Sequence, residues 1–146
     1  MNICLVLISD GWGGAENVVF NLAKQLSNKG ENVSVLVNNE IFNYFSSLKN
    51  VKIFRMSYLY NTKALITSIL SSKKADIKRD PIWNSGPFYF LNGILRSLYY
   101  KKIHKDILYI LKQQKIDIVH LHLDSLQLFM GLFEKLNLPV VITLHG

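Results

Sequence analysis

Five short apolar runs, six or seven residues long, restrict most strongly how this chain can fold. The sequence predicts strands over 2–8, 32–38, 51–56, 117–122 and 139–145. Strands buried on both faces have this nearly continuous apolar composition, and they occur mainly in parallel sheets. Helical spacing of apolar residues connects them, over 14–28, 40–48, 60–72, 88–114 and 125–136, with an irregular loop over 73–87. This alternation predicts an α/β fold: an open, parallel, Rossmann-like sheet with helices on both faces.

The composition favours one globular domain in a reducing compartment. The chain has 146 residues, of which 49% are hydrophobic, enough for a sizeable core. Its one cysteine, Cys4, lies within an apolar run, which predicts a buried thiol. No apolar run has the length of a membrane span, and the start MNICLVLI lacks the basic segment and cleavage site of a signal peptide. A cytoplasmic protein is therefore expected.

The positive charge is concentrated in one segment. Residues 73–115 hold ten Lys/Arg and three acidic residues, which accounts for the whole formal net charge of +7. Such a segment predicts attraction to an anionic partner, either a membrane surface or a phosphate-bearing substrate; nucleic acid is not the expected partner. A solvated helix face followed by a basic loop would have the same composition.

Three glycines, Gly11, Gly13 and Gly14, separate the first strand from the first helix in the stretch SDGWGGAENVVF. Glycine permits positive φ and close approach of the backbone, and the helix that follows offers N–H groups to a phosphate. Established nucleotide motifs do not fit. Glu16 occupies the third-glycine position of the dinucleotide motif, Asn38 stands where a ribose-binding acid is expected, and no Gly-Lys-Ser/Thr follows. The stretch predicts a phosphate-contacting turn or a purely structural tight turn.

Two acidic residues flank this turn and have two interpretations each. Glu16 lies in the first helical turn, where the helix dipole favours an acid by about 0.3–1 kcal/mol. It could equally face the cleft and hold a substrate hydroxyl. The same alternatives apply to Asp10.

Three of the four histidines fall near the ends of the last two predicted strands. Alternation places His120 and His122 on one face of the fourth strand. His122, as the last residue of that strand, is expected to enter the cleft, whereas His120 is expected to be a deeper, hydrogen-bonded core residue. His145 closes the fifth strand at the same edge, and His104 is expected at the surface of a helix. No metal site is predicted, because no third ligand follows at a familiar spacing.

Three segments, in this order, resemble the amino-terminal domain of family-4-like retaining glycosyltransferases. They are SDGWGGAENVVFNLAKQL, IDIVHLH before a helix, and PVVITLHG on the next strand. The resemblance covers most of the chain, more weakly over 57–100. It implies a two-domain GT-B fold and a hexosyltransferase type of reaction. A nucleotide-sugar donor, a UDP- or GDP-sugar, would give its sugar to a glycan or lipid-linked acceptor with retention at the anomeric carbon.

The resemblance also implies roles for individual residues. Gly13 and Gly14 would contact the donor diphosphate, and His122 would lie near the transferred sugar as the catalytic histidine. His145 would line the acceptor side, where Asp10 and Glu16 are also expected. In such enzymes the leaving phosphate is often thought to take the acceptor proton, so that no separate base is needed.

Members of this family are more than twice as long, and their carboxyl-terminal domain holds most of the donor. Residues 1–146 are therefore expected to be an incomplete acceptor-side domain without the donor domain. It would be inactive alone, and would be a fragment, a truncated product or the partner of a separate donor-domain chain. Aromatic and lysine residues over 83–105 predict peripheral docking at the inner membrane face, although an ordinary helix with an aromatic core face has the same pattern.

Two other functions stay open from the sequence. The chain could be a non-catalytic module that binds a sugar or lipid acceptor. It could also be half of an NAD-dependent oxidoreductase, which Glu16 and Asn38 disfavour.

Overall fold

The computed structural model describes residues 1–56, 101–123, 125, 129, 132 and 135–144. These residues form five strands and three helices. The strands are β1 (Asn2–Ile8), β2 (Asn32–Asn38), β3 (Val51–Met56), β4 (Ile118–Leu123) and β5 (Val140–Thr143). The helices are α1 (Gly14–Asn28), α2 (Asn39–Phe45) and the helical residues 101–113, termed α3. No described helix is long and apolar enough to cross a membrane.

All five strands are parallel and lie in the order β3-β2-β1-β4-β5, which confirms the α/β prediction. The chain moves outward from β1 to β2 and β3, and then returns to the other side of β1 for β4 and β5. In the centre of the sheet, Leu7 pairs with Val37 of β2 and with His122 of β4. The order of the strands reverses between β1 and β4. At such a switch point the connections leave in opposite directions and open a crevice at the carboxyl edge of the sheet.

The core has two layers, one on each face of the sheet. The layer beneath α1 and α2 contains Ile3, Leu5, Leu7, Val19, Ala23, Val33, Val35, Val37, Ile41 and Phe45. The layer beneath α3 contains Cys4, Val6, Ile8, Leu36, Met56, Ile103, Ile107, Leu111, Ile116, Val119, Leu121, Phe129 and Leu132. Because side chains of β1 enter both layers, this strand is apolar from Ile3 to Ile8 and does not alternate.

The predicted bounds of β1, β2 and β3 are confirmed, and those of the later strands shift. β4 begins and ends one residue later than expected, so that Leu123 and not His122 closes it. β5 covers only Val140–Thr143 of the predicted 139–145. Pro139 has no N–H group, and its carbonyl oxygen accepts a hydrogen bond from Val119 at 3.0 Å just before the ladder begins.

The second helix is shorter than predicted. It ends at Phe45, three residues before the expected end at 48. The hydroxyl of Ser46 donates to the Asn43 carbonyl oxygen and that of Ser47 to the Tyr44 carbonyl oxygen, at 2.7 and 2.9 Å, which satisfies the end of the helix locally. The predicted helix over 60–72, the loop over 73–87, residues 88–100 and most of 125–136 lie outside the described residues. Within the last stretch, Ser125 and Phe129 are helical.

The buried thiol predicted for Cys4 is confirmed, since its side chain is fully inaccessible and burial raises its pKa. We therefore expect the native protein to take up no Ellman's reagent between pH 7 and pH 9, because neither the thiolate nor access is available. One equivalent should react after unfolding in guanidinium. The variant Ser47→Cys, at an exposed position, is the positive control and should react in the native state. Rapid labelling of native Cys4 would contradict the described core.

Candidate functional site at the switch point

The turn after β1 brings the glycines to the carboxyl edge of the sheet. Gly13 is the N-cap of α1 with φ −150° and ψ −154°, an extended conformation, and no side chain caps the helix. The expectation of positive φ in this turn is wrong: among the described glycines only Gly30 has it, at 85°. Gly13 and Gly14 are exposed, and a Cβ built on Gly14 meets nothing within 4 Å. Gly14 thus leaves open space at a helix start that no side chain caps, which suits an approaching anion.

Glu16 lies against this turn. Its side chain is only 5% exposed, and its Oε2 atom would be 3.1 Å from a Cβ placed on Gly13. The carboxylate therefore fills the space that a larger residue at position 13 would need. This location favours the dipole interpretation of an acid in the first helical turn. Asp10, in contrast, is exposed in the loop before the glycines.

Asn38, at the end of β2, fixes the beginning of the same loop. The Ser9 N–H donates to Asn38 Oδ1 at 3.1 Å, and Asn38 Nδ2 donates to the Ser9 carbonyl oxygen at 2.6 Å. The second hydrogen of Nδ2 is donated to Glu40 Oε2, also at 2.6 Å. Asn38 is fully buried, so these hydrogen bonds satisfy a polar group that could not otherwise be buried. The sequence indicated Asn38 as a turn residue at the position of a missing ribose-binding acid, and it did not reveal these hydrogen bonds to Ser9.

Ser9 continues the polar network into the turn. Its hydroxyl donates to the Gly11 carbonyl oxygen at 2.9 Å and accepts from the Gly11 N–H at 3.4 Å. Different interactions therefore fix the two ends of the Ser9–Gly14 loop. Side-chain hydrogen bonds fix Ser9 at its start, and aromatic packing of Trp12 against Phe20 and Phe45 fixes the part before Gly13.

His120 and His122 lie side by side on the α1 face of β4, opposite Leu5 and Leu7 of β1. Their ring centroids are 4.0 Å apart, with an interplanar angle of 35°. The expected hydrogen bond of His120 is confirmed: its Nε2 is 2.7 Å from the Thr143 hydroxyl oxygen of β5.

The expected order of burial is reversed. His122 is 1% exposed, whereas His120 is half-buried, because its neighbour on the edge strand β5, Val141, is itself 42% exposed. The predicted surface position of His104 is also wrong in part, since this residue of α3 is half-buried.

Ser125 holds the main chain of His122. Its Oγ accepts from the His122 N–H at 2.9 Å and donates to the His122 carbonyl oxygen at 2.6 Å. Ser125 is fully buried, so this arrangement fixes the backbone at the end of β4. The sequence signal was a serine at the expected start of the helix that follows β4, a position where serine often binds the local backbone.

The fold thus brings Gly13, Gly14 and His122 to neighbouring strand ends at the switch point, with Asp10 and Glu16 on either side of the glycines. His145 lies outside the described residues. Among the described residues there is no group of three or more His, Cys, Asp or Glu side chains that could hold a metal ion.

The fold and the site define a Rossmann-like α/β domain with a glycine turn at the start of α1 and a buried histidine at its switch point. The family model described as Glycosyltransferase Family 4 matches residues 12–146, from Trp12 beside the glycine turn to the end of the printed sequence. The chain belongs to this glycosyltransferase family. A search of curated proteins returned no match.

The hydrogen bonds of Asn38 lead to a test of the loop. We expect Asn38→Ala to lower the free energy of unfolding by about 1–3 kcal/mol, because the part-buried N–H and carbonyl of Ser9 lose their partners. Asn38→Asp should be at least as destabilising at neutral pH, since it brings a carboxylate to the Ser9 carbonyl and to Glu40. Urea unfolding measures both.

Two controls make this test specific. Adding Glu40→Gln should restore part of the stability of Asn38→Asp and little of that of Asn38→Ala. Asn43→Ala, at an exposed position of α2, should stay within about 0.5 kcal/mol of the parent. An Asn38→Ala protein as stable as Asn43→Ala would show that the loop does not depend on Asn38.

Proposed function

We propose that this chain is the acceptor-side domain of a retaining glycosyltransferase. It would act on a UDP- or GDP-sugar and a glycan or lipid-linked acceptor. One observation carries the proposal: an exposed Gly13–Gly14 turn, at the uncapped start of α1, lies next to the strand end that holds His122. Membership in the glycosyltransferase family supports the same class of reaction.

The turn supplies what a departing nucleotide diphosphate needs. Negative charge grows on the diphosphate as the bond to the sugar breaks. N–H groups already aimed at that charge stabilise the transition state more than the ground state, and they need no reorganisation during the reaction. The dipole of α1, a helix of 15 residues, adds positive potential at the same point. The leaving phosphate itself would accept the proton of the acceptor hydroxyl.

His122 would act on the transferred sugar through its imidazole. The main-chain carbonyl of His122 accepts a hydrogen bond from the Ser125 hydroxyl, and this bond fixes the backbone that carries the ring. In its buried surroundings a hydrogen bond to a sugar hydroxyl is stronger than in water. Because the ring is 1% exposed, the sugar reaches it only after the residues that cover it move.

The described chain forms one wall of the proposed cleft. Most of the donor would be held by a second domain, in the same or another polypeptide. The 146-residue chain is accordingly proposed to bind nucleotide sugars weakly and to be inactive by itself.

Transfer assays test this function. Purified chain is incubated with UDP- and GDP-sugars and with free or lipid-linked glycan acceptors, alone and together with a donor domain. We expect turnover only in the second case, and NMR of the product should show the anomeric configuration of the donor. Turnover by the chain alone, tight nucleotide-sugar binding to it in calorimetry, or an inverted product would contradict the proposal.

The variant Gly14→Ala tests the role of the glycine turn in the same assay. Its Cβ would occupy the open space in front of the helix, and we expect kcat to fall by about 10²-fold. Stability should not fall, since alanine favours a helix over glycine by up to about 1 kcal/mol. Asn21→Ala, exposed in the middle of α1, raises helix propensity without touching the turn and should keep full activity.

The outer face of α3 supports a membrane location for the acceptor. Ile103, Ile107 and Leu111 point to the sheet and are buried. The opposite face carries exposed lysines, with an exposed Asp106 among them; the lysines are Lys101, Lys102, Lys105 and Lys112. Tyr109, on the same helix, is 65% exposed. A basic helix face with an exposed aromatic residue suits peripheral contact with anionic lipid. The rest of the predicted basic segment, 73–100, lies outside the described residues.

Vesicle co-sedimentation tests this contact. We expect binding to anionic vesicles at low salt and release at about 1 M salt, where the screening length is about 3 Å. The triple variant Lys101→Glu, Lys105→Glu, Lys112→Glu should not bind. A variant with the same net charge, Lys24→Glu, Lys29→Glu, Lys49→Glu, changes exposed lysines elsewhere and should still bind. Absence of vesicle binding at low salt, or an equal loss of binding in both variants, would exclude the lysine face of α3 as the membrane contact.

A further inference from the structure

An aromatic cluster lies beside the glycine turn and has no role in the mechanism above. Trp12, the residue before Gly13, stacks on Tyr44 of α2 with ring centroids 4.6 Å apart and an angle of 27°. Phe20 and Phe45 contact Trp12 edge-on, at 5.8 and 5.7 Å. Phe45 is fully buried, yet Tyr44 is 50% exposed. Phe20 and Phe45 therefore fix the position of Trp12, and the side chain of Tyr44 stays half-exposed.

A carboxylate is fixed on the same side of α2. Glu40 precedes Tyr44 by four residues, so the two side chains are neighbours on one helix face. Glu40 Oε2 accepts the hydrogen bond from the buried amide of Asn38, and the Glu40 side chain is exposed. This hydrogen bond orients the carboxylate and leaves further acceptor positions on its oxygens.

A flat aromatic ring beside an oriented carboxylate suits a neutral sugar. A pyranose has an apolar C–H face that packs on an aromatic ring, and hydroxyls at its rim that donate to a carboxylate. A diphosphate does not suit this place, because the exposed Glu40 carboxylate is negatively charged. Tyr44 and Glu40 together therefore favour a neutral ring over an anion.

We propose that Tyr44, supported by Trp12, and Glu40 form a subsite for a neutral pyranose ring of the acceptor. The assignment of this ring to the acceptor rests on the proposed glycosyltransferase function. Trp12 connects the subsite to the glycine turn, since it stacks on Tyr44 and directly precedes Gly13. A sugar on Tyr44 therefore lies next to the point where the donor phosphate would bind.

A binding experiment that needs no turnover tests the subsite. The chain has two tryptophans, so the variant Trp83→Phe leaves Trp12 as the only one. Titration with methyl glycosides and neutral oligosaccharides should change Trp12 fluorescence saturably. Tyr44→Ala should weaken the apparent affinity by about tenfold. Glu40→Gln, which can still accept from Asn38, should weaken it by about threefold to tenfold. Tyr44→Phe should bind like the parent, and so should Val18→Ala, an exposed apolar position on α1.

Kinetics with the donor domain present separate this subsite from the proposed function. Tyr44→Ala and Glu40→Gln should raise KM for the acceptor by a similar factor and leave KM for the nucleotide sugar within about twofold. Sugar binding without any transfer would remove the glycosyltransferase proposal and keep the subsite. Active enzyme with an unchanged acceptor KM in both variants, or Tyr44-dependent binding of free UDP in place of neutral sugar, would overturn the subsite. Glu40→Gln keeps the test decisive if Tyr44→Ala unfolds.

Discussion

The burial of β1 on both faces is the constraint on which the rest of this structure depends. From Cys4 to Leu7 its side chains have no exposure, and they alternate between the α1–α2 layer and the α3 layer. A strand in this position can carry no polar side chain without a buried partner. Functional polar groups are therefore expected after the strand. The Ser9–Gly14 loop is the first segment beyond the buried part of β1 where polar side chains and accessible backbone N–H groups can occur. On the neighbouring strand β4, the polar side chains are those of His120 and His122, which face the same layer as Leu5 and Leu7, and His120 is partnered by Thr143.

Asparagine side chains connect the strands at both ends of this apolar centre. At the amino edge, Asn2 donates its N–H to Asp117 Oδ2 at 2.6 Å and its Nδ2 to the Lys115 carbonyl at 2.8 Å, while its Oδ1 accepts from Asn32 at 3.0 Å. β1 is thereby aligned with the starts of β2 and β4. At the carboxyl edge, Asn38 holds Ser9. A sheet fixed at both ends keeps the loop after β1 in register with the end of β4, and the candidate site needs that alignment.

The sequence was most informative where a local pattern determines the structure. The bounds of β1, β2, β3 and α1 could be predicted because apolar periodicity and turn residues lie within each segment. The order of the strands in the sheet could not be predicted in this way, because it depends on the side of β1 on which β4 pairs. The depth of His122 relative to His120 was also predicted wrongly. Alternation gives the face on which a side chain lies, but the helices on that face and the exposed edge strand decide how deeply it is buried.

Contacts between distant residues account for the other features that the sequence did not reveal. Asn38 and Ser9 are 29 residues apart, and Trp12 and Tyr44 belong to different connections of the sheet. Each pair meets only because β1 and β2 are neighbours, so that the segments after them share one edge. The same adjacency places two different chemical environments on the two sides of Trp12. Uncapped N–H groups follow it along the chain, and an oriented carboxylate lies near its stacking partner. If both proposals hold, the nucleotide diphosphate and the neutral acceptor sugar would bind at adjacent positions, which is the arrangement that transfer between them requires.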